Sequence, residues 1–259
     1  MLRRLWILVT NVGEQLKKKP ALRGGGFTFK QFFVAHDCCA MKVGTDGVLL
    51  GAWVPVEKAR KVLDIGCGSG LIALMIAQRS TSEVLIDGVE LEPEAARQAS
   101  SNAASSPWAE RVCIYEQDVH QFAENHPHQY DLIVSNPPYF APAVACRDEA
   151  RDTARYTGSL THDALLNCAE KLITENGVFC VVLPHDLGIE LSRRAVQQNW
   201  YVRCQVDIRD RPGKPLNRML LTLSRQPGET EYQHLALRQS EGVYSAEFCQ
   251  LISEFYLNY

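Results

Sequence analysis

Short apolar runs alternate with amphipathic segments along most of this chain of 259 residues. The runs are rich in Val, Ile and Leu, as in strands that are buried on both faces of a sheet. The segments between them have the periodicity and the capping residues of helices. Regular alternation of strand and helix is typical of α/β proteins with a largely parallel sheet. The pattern predicts strands over 62–65, 83–90, 111–118, 130–135 and 178–183, and helices over 71–78, 92–105, 119–124, 161–174 and 187–198.

The pattern changes after residue 200. Two further strands, 201–208 and 218–223, are separated by residues 209–215, which contain Pro and Gly but no helical pattern. Consecutive strands without a crossover helix pair antiparallel, so these two should form a terminal hairpin. A short strand at 234–237 and an amphipathic helix at 245–256 complete the chain.

A run of three glycines, 24–26, divides the segment that precedes the alternating pattern into two parts. We expect residues 1–25 to be a flexible basic extension. Residues 26–259 should form a single domain, in which residues 27–58 cover the edge of the sheet where ligands bind.

Two local signals lie within that covering segment. Alternating aromatic residues at 27–34 predict a strand or a two-stranded ribbon on the surface or edge of the domain. Thr45 or Asp46 is well placed as the N-cap of a short apolar helix. On local evidence alone, capping is the simplest explanation of these two side chains.

Composition is that of an ordinary globular protein: 46% of the residues are hydrophobic, 22% are charged and the net charge is −3. Residues 1–30 carry seven Lys or Arg and one Glu, which suits an anionic partner or a merely solubilising tail. The nine cysteines form no C-x-x-C pair and no cluster with metal spacing, so we expect reduced thiols, a cytoplasmic protein and no metal. No apolar run approaches the roughly 20 residues that span a bilayer, and we expect no membrane partner.

A glycine-rich turn, with Gly66, Gly68 and Gly70, follows the first predicted strand of the alternating pattern. Glycines let the main chain approach a ligand closely and bring the N–H groups of a helix N-terminus beside it. The G-x-G-x-G spacing differs from the G-x-G-x-x-G of dinucleotide-binding proteins. It is the arrangement of S-adenosylmethionine enzymes, in which the acidic residue before the turn, here Asp64, can hold the amino group of the methyl donor directly or through water. A tight strand-to-helix turn without a ligand is the alternative.

Carboxylates end the next two predicted strands. Glu90 lies about 20 residues after the glycine turn, where a carboxylate bridges the two hydroxyls of a ribose. Asp118 ends the following strand, where it either accepts a hydrogen bond from an adenine amino group or caps the helix that follows. The carboxyl ends of parallel strands form one edge, which is where open α/β sheets bind ligands.

The fourth predicted strand of the alternating pattern runs directly into Asn136, Pro137, Pro138 and Tyr139. The lone pair of an amide or adenine amino nitrogen is delocalised, so the nitrogen is a poor nucleophile. The carboxamide oxygen of Asn136 and the carbonyl of Pro137 can accept its two N–H bonds and stabilise the cation that forms on methylation. The prolines fix these acceptors, and Tyr139 offers a stacking face. The motif therefore predicts an amino-directed methyltransferase, with an ordinary Pro-Pro turn as the alternative.

In this order, Asp64, the glycine turn, Glu90, Asp118 and the motif 136–139 resemble the class I S-adenosylmethionine-dependent methyltransferases of the N6-adenine and glutamine-N5 type. The flanking sequences at 27–36, 41–47 and 244–248 look like those of the bacterial tRNA adenine-N6 methyltransferases, which act on the adenine next to the anticodon of valine tRNA. This resemblance covers the chain from about Arg23 onward and leaves out residues 1–22.

The resemblance implies a Rossmann-like, mostly parallel sheet of seven strands with a terminal antiparallel hairpin. It implies S-adenosylmethionine as donor, S-adenosylhomocysteine as product, and a monomer whose partner is the tRNA anticodon loop and not DNA. Its target-amino contacts fall on Asn136, Pro137 and Tyr139, with Pro138 completing the motif. Its donor contacts fall on Lys42, Thr45, Asp46, Asp64, Gly66, Glu90 and Asp118. We expect the remaining glycines of the turn, Gly68 and Gly70, and the adjacent Asn136 to contact the donor as well.

Other activities use the same nitrogen chemistry. Glutamine-N5 methyltransferases of peptide release factors carry an N-terminal helical bundle, whereas only about 60 residues without a bundle pattern precede the strand at 62–65. Guanine-N2 methylation of ribosomal RNA is a further alternative. A DNA adenine methylase would need a target-recognition domain, which the pattern does not show. A catalytically inactive module that binds donor or RNA is disfavoured by the intact motif at 136–139.

Overall fold

The computed structural model describes residues 24–39, 42–138 and 160–258. The predicted extension 1–25 lies almost wholly outside these ranges. The helices are α1 (Thr45–Trp53), α2 (Leu71–Arg79), α3 (Pro93–Ala104), α4 (Val119–Asn125), α5 (His162–Leu172), α6 (His185–Gln197) and α7 (Ala246–Ile252). The strands are β1 (Gly26–Thr28), β2 (Phe33–Ala35), β3 (Lys61–Ile65), β4 (Leu85–Glu90), β5 (Val112–Glu116), β6 (Tyr130–Ser135), β7 (Ile173–Pro184), β8 (Tyr201–Arg209), β9 (Leu216–Ser224), β10 (Glu231–Ala236), β11 (Arg238–Ser240) and β12 (Val243–Tyr244).

The central sheet has the strand order β10-β8-β9-β7-β6-β3-β4-β5. Strands β5, β4, β3, β6 and β7 are parallel, and β9 runs antiparallel to both β7 and β8. The predicted α/β fold with a terminal antiparallel hairpin is confirmed. The described sheet has eight strands and not seven, because the mostly exposed segment β10 adds to the edge of β8 in parallel.

Apolar side chains are packed on both faces of the sheet. Successive residues of a strand point to opposite faces. In β3, Val62 therefore packs with α1, α2 and α7, whereas Leu63 and Ile65 pack with α4, α5 and α6. Burial on both faces explains why the central strands are continuous apolar runs in the sequence.

Residues 27–34 form most of a short antiparallel hairpin, β1–β2, which agrees with the ribbon alternative for this segment. Two other local predictions differ from the structure. Helix α1 has Gly44 as its N-cap, which places Thr45 and Asp46 in the first turn and not at the cap. Strand β7 begins at Ile173, eleven residues before its end and five earlier than predicted, because the buried Ile173 pairs with Tyr130 of β6 across a register shift.

Within the three described ranges, no helix combines the length and the apolar character that crossing a bilayer requires.

Candidate active site

A cleft of about 280 Å³ opens at the carboxyl ends of β3 and β6. The first turn of α1 forms one wall, the glycine-rich turn forms another, and Arg218 of β9 contributes from the hairpin. Six of the predicted site residues line this cleft together: Lys42, Thr45, Asp46, Gly66, Gly68 and Asn136. Gly70, Asp64, Glu90, Asp118 and Pro137 are not part of its lining. Tyr139 lies outside the described residues.

The glycine-rich turn needs its glycines. Gly66, Gly68 and Gly70 have φ values of 69°, 54° and 78°, in the left-handed region that other residues rarely adopt. Among the described residues outside the turn itself, a Cβ added at Gly66 or Gly68 would meet no atom within 4 Å, so this side of the turn faces open space. A Cβ at Gly70 would instead meet the Cβ of Ala99 at 3.4 Å, which shows that Gly70 serves helix packing.

Glu90 holds the glycine turn in place. Its Oε2 accepts a hydrogen bond of 2.8 Å from the N–H of Gly68, and its Oε1 accepts one of 3.0 Å from the N–H of Glu92. A carboxylate has about four acceptor positions, so two remain for another partner. Glu90 is thus both a structural acceptor and a group with capacity left to bind hydroxyls.

Asp64 is fully buried beneath the turn. Its Oδ2 accepts a hydrogen bond of 3.2 Å from the N–H of Ala73, whereas its Oδ1 is buried with no hydrogen-bond partner among the described residues. Burial raises the pKa of Asp64 to about 7, against the lowering effect of the Ala73 N–H. An acceptor of this kind suits a cationic or N–H donor ligand.

Asn136 is the first residue after β6. The buried hydroxyl of Ser135 donates to the carbonyl oxygen of Ile65 at 2.9 Å, which fixes the end of β6 against the end of β3. The Oδ1 atom of Asn136 is buried and has no hydrogen-bond partner among the described residues. Pro137 is buried and Pro138 is exposed. A residue that lines the cleft therefore carries an acceptor oxygen that the described part of the chain leaves unpaired.

Asp118 is the N-cap of α4. Its Oδ1 accepts a hydrogen bond of 2.7 Å from the N–H of His120. The capping alternative for this residue is thus correct. Capping engages one oxygen of the carboxylate, which leaves acceptor positions at the carboxyl end of β5.

The sequence analysis missed Arg218. Its Nε lies 3.0 and 2.9 Å from the two carboxylate oxygens of Asp46, and this ion pair joins α1 to β9 at the wall of the cleft. The two residues are 172 positions apart, so no local pattern connects them. The available signal was a basic residue at the start of the predicted strand 218–223.

No group of three or more His, Cys, Asp or Glu side chains suited to a metal ion occurs in the part of the chain that the structure describes.

Sequence comparison links the chain to known proteins over most of its length. The family model described as methyltransferase small domain matches residues 39–205. A protein of Yersinia enterocolitica serotype O:8 / biotype 1B named tRNA1(Val) (adenine(37)-N6)-methyltransferase is 90% identical over 251 residues, covering 97% of this chain and 100% of that protein. A relative of the same name from Yersinia pseudotuberculosis serotype IB is 86% identical and has the same coverage. These alignments are longer than the segment 23–259. They therefore extend into residues 1–22, which the resemblance in the sequence analysis left out.

Structure comparison agrees with the fold. A crystal structure described as a predicted O-methyltransferase from Agrobacterium tumefaciens superposes with a TM-score of 0.64, covering 81% of this chain and 96% of that chain. The identity is 17%, so this similarity concerns the fold alone.

Proposed function

This chain belongs to the methyltransferase small domain family and, within it, to the tRNA1(Val) (adenine(37)-N6)-methyltransferases, and we propose that it transfers a methyl group from S-adenosylmethionine to the exocyclic N6 amino group of an adenine in the anticodon loop of tRNA. The names of its relatives support valine tRNA as the substrate and position 37, next to the anticodon, as the target.

The cleft suits the methyl donor. Gly66 and Gly68 leave open space on the side of the turn that faces the cleft, and the orphaned Oδ1 of Asp64 lies beneath it. We assign Asp64 to the amino group of the donor, Glu90 to its ribose hydroxyls and Asp118 to its adenine. Lys42, Thr45 and Asp46 would contact it from the side of α1. When bound, S-adenosylmethionine supplies an electrophilic methyl group and leaves as S-adenosylhomocysteine.

Asn136 and Pro137 act on the nitrogen that receives the methyl group. Their oxygens accept its two N–H bonds, which draws the lone pair back onto nitrogen and stabilises the positive charge that develops there. The extra proton leaves afterwards to water, because the methylated nitrogen is acidic until it is lost. No side chain of matched pKa is needed as a base. Tyr139 stacks on the adenine once it has left the stack of the anticodon loop.

One observation carries this assignment: the buried Oδ1 of Asn136, a residue that lines the same cleft as the glycine turn, has no donor among residues 24–39, 42–138 and 160–258. Leaving a buried acceptor unpaired costs about 1–3 kcal/mol, and an amino group that binds there removes that cost.

The reaction takes place in the cytoplasm and the enzyme acts as a monomer. The eight cysteines within the described residues are free thiols, which fits a reducing compartment.

The test is methyl transfer from labelled S-adenosylmethionine to total RNA, DNA and a release factor from a methylation-deficient extract, followed by nucleoside analysis. We expect label in N6-methyladenosine of tRNA. Label confined to the release factor would replace the proposal with glutamine methylation, and label in N2-methylguanosine of ribosomal RNA would replace it with guanine methylation. The Asn136→Ala variant serves as the impaired control.

A further inference from the structure

Basic residues continue from the cleft along the same edge of the sheet. The loop between β8 and β9 lies at the carboxyl edge, because β9 runs antiparallel to β7 and pairs Arg218 with Pro184 at the end of that strand. We name residues 209–218 the cationic turn. They contain four basic residues and one acidic residue, which are Arg209, Arg211, Lys214, Arg218 and Asp210.

The cationic turn is held by main-chain hydrogen bonds. The N–H of Leu237 donates to the carbonyl of Arg209 at 3.0 Å, and the N–H of Arg238 donates to the carbonyl of Asp210 at 2.8 Å. Within the turn, the N–H of Lys214 donates to the carbonyl of Arg211 at 3.0 Å. The charges are therefore presented from a fixed backbone, which lowers the entropic cost of binding a partner.

Three carboxylates beside the cationic turn are paired with Arg side chains, and one of these pairs is Asp46 with Arg218. The carboxylate of Asp210 pairs with Arg238, and Arg211 pairs with the highly exposed Glu241 at 3.4 Å. Among the described residues, Arg209 and Lys214 have no carboxylate within 4.0 Å. The cationic turn thus has a surplus of positive charge, although the chain as a whole has a net charge of −3.

Arg218 connects the cationic turn to the cleft, because it lines the same cavity as Asn136. Lys214 is four residues earlier, which is no more than about 14 Å of extended chain. An RNA whose target base lies at Asn136 therefore has the phosphates next to that base within reach of the cationic turn.

We propose that the cationic turn binds the phosphates that flank the target adenine and so holds the anticodon loop while the base occupies the cleft. This inference rests on the proposed function, since it requires RNA as the substrate. Lys and Arg contacts to phosphates supply affinity that is independent of sequence and falls with salt.

The test compares two double variants by their affinity for an unmodified valine tRNA transcript across a range of salt concentrations. Arg209→Ala with Lys214→Ala removes the two unpaired charges of the turn. Lys58→Ala with Arg60→Ala removes the same charge from exposed residues just before β3, at the opposite edge of the sheet. Affinity for S-adenosylmethionine, measured in parallel, should be unchanged in both.

We expect the first pair to weaken tRNA binding roughly tenfold at low salt and to reduce the slope of log K against log salt by about two, with a raised KM and nearly unchanged kcat. The second pair should change affinity less than about twofold. Equal effects of the two pairs, or no effect of the first, would overturn the role of the cationic turn while RNA methylation still stood. A wild-type enzyme that methylates only protein would overturn the proposed function itself.

Discussion

At the level of single residues, the proposed methyl transfer depends on two buried oxygen atoms. The Oδ1 atoms of Asp64 and Asn136 lack donors among the described residues. Asp64 lies near the carboxyl end of β3, and Asn136 directly follows the neighbouring strand β6. Most buried polar atoms in folded proteins are paired, so an orphaned acceptor beside a cleft indicates a ligand. On our account one accepts from the donor and the other from the target amino group.

Asn136→Ala removes the acceptor for the target nitrogen. We expect kcat to fall by about two or more orders of magnitude, as when one oxyanion-hole donor is lost. Binding of S-adenosylmethionine, measured by calorimetry, should change little. Asn136→Asp keeps an acceptor oxygen at the same position and should retain more activity than the alanine variant. Asn125→Ala, at an exposed site in α4, is the matched control. A comparable loss of donor affinity in Asn136→Ala would refute its role at the target nitrogen.

Asp64→Asn tests the buried carboxyl through pH. The pKa of Asp64 is raised from its ordinary value of 3.8 to about 7, so the carboxyl group binds its proton more tightly in the native state than in the unfolded state. The contribution of the protonated Asp64 to the free energy of unfolding is complete below pH 3.8 and is lost as the pH rises through about 7. Asparagine does not ionise. The donor-free variant should therefore melt higher than wild type at pH 8, by a margin that shrinks towards pH 5.

Donor binding gives the opposite result for the same substitution. Asp64→Asn removes the charge that pairs with the amino group of the donor, so affinity for S-adenosylmethionine should fall although the donor-free protein is more stable. A melting-temperature difference that does not depend on pH, as seen by calorimetry between pH 5 and pH 8, would contradict the raised pKa.

At the scale of elements, we assign donor binding to the strand-turn-helix unit of β3 and α2. Its turn needs left-handed backbone at three glycines, and two of them face the open cleft. The carboxylate of Glu90 at the end of β4 fixes the turn by accepting from Gly68. Two strands and one turn thus form a single supporting unit.

Gly68→Ala tests this unit. Alanine at a φ of 54° should cost about 1–2 kcal/mol of unfolding free energy, and its methyl group would enter the space assigned to the donor. We expect both a lower melting temperature and a weaker affinity for S-adenosylmethionine. Gly242→Ala is the matched control, because Gly242 has a φ of 76° and open space around its Cβ position but lies outside the cleft. It should lose similar stability and keep donor affinity; equal loss of affinity in both variants would argue against direct contact at Gly68.

Elements with strong local signals were predictable from the sequence. The buried strands β3, β4, β6 and β7 are apolar runs, and the glycine turn and Asn136 follow two of them directly. Predictions that depended on tertiary contacts were less complete. The cap of α1 falls on Gly44, the exposed β10 adds an eighth strand, and Arg218 reaches Asp46 across 172 positions. The sequence shows a short strand at 234–237, but its pairing with the edge of β8 and the approach of Arg218 to Asp46 depend on tertiary contacts.

At the scale of the whole molecule, the order of the strands places the reaction. The chain builds β3, β4 and β5 in one direction and then returns to add β6 on the other side of β3. A cleft forms at such a reversal, outside the carboxyl ends of the strands. The half with β3 to β5 carries Asp64, the glycine turn, Glu90 and Asp118, which we assign to the donor, and the half with β6 to β9 carries Asn136 and the cationic turn. Helix α1, with the remaining residues assigned to the donor, is joined to β9 by the ion pair of Asp46 and Arg218.

The central claim is methylation of one adenine amino group at this cleft. The most direct test compares two unmodified valine tRNA transcripts, one with adenine at position 37 and one with guanine there, as acceptors of label from S-adenosylmethionine. The account predicts one labelled N6-methyladenosine per molecule of the first transcript, none in the second, and similar binding of both. Equal labelling of the two transcripts, or label in any nucleoside other than N6-methyladenosine, would contradict it.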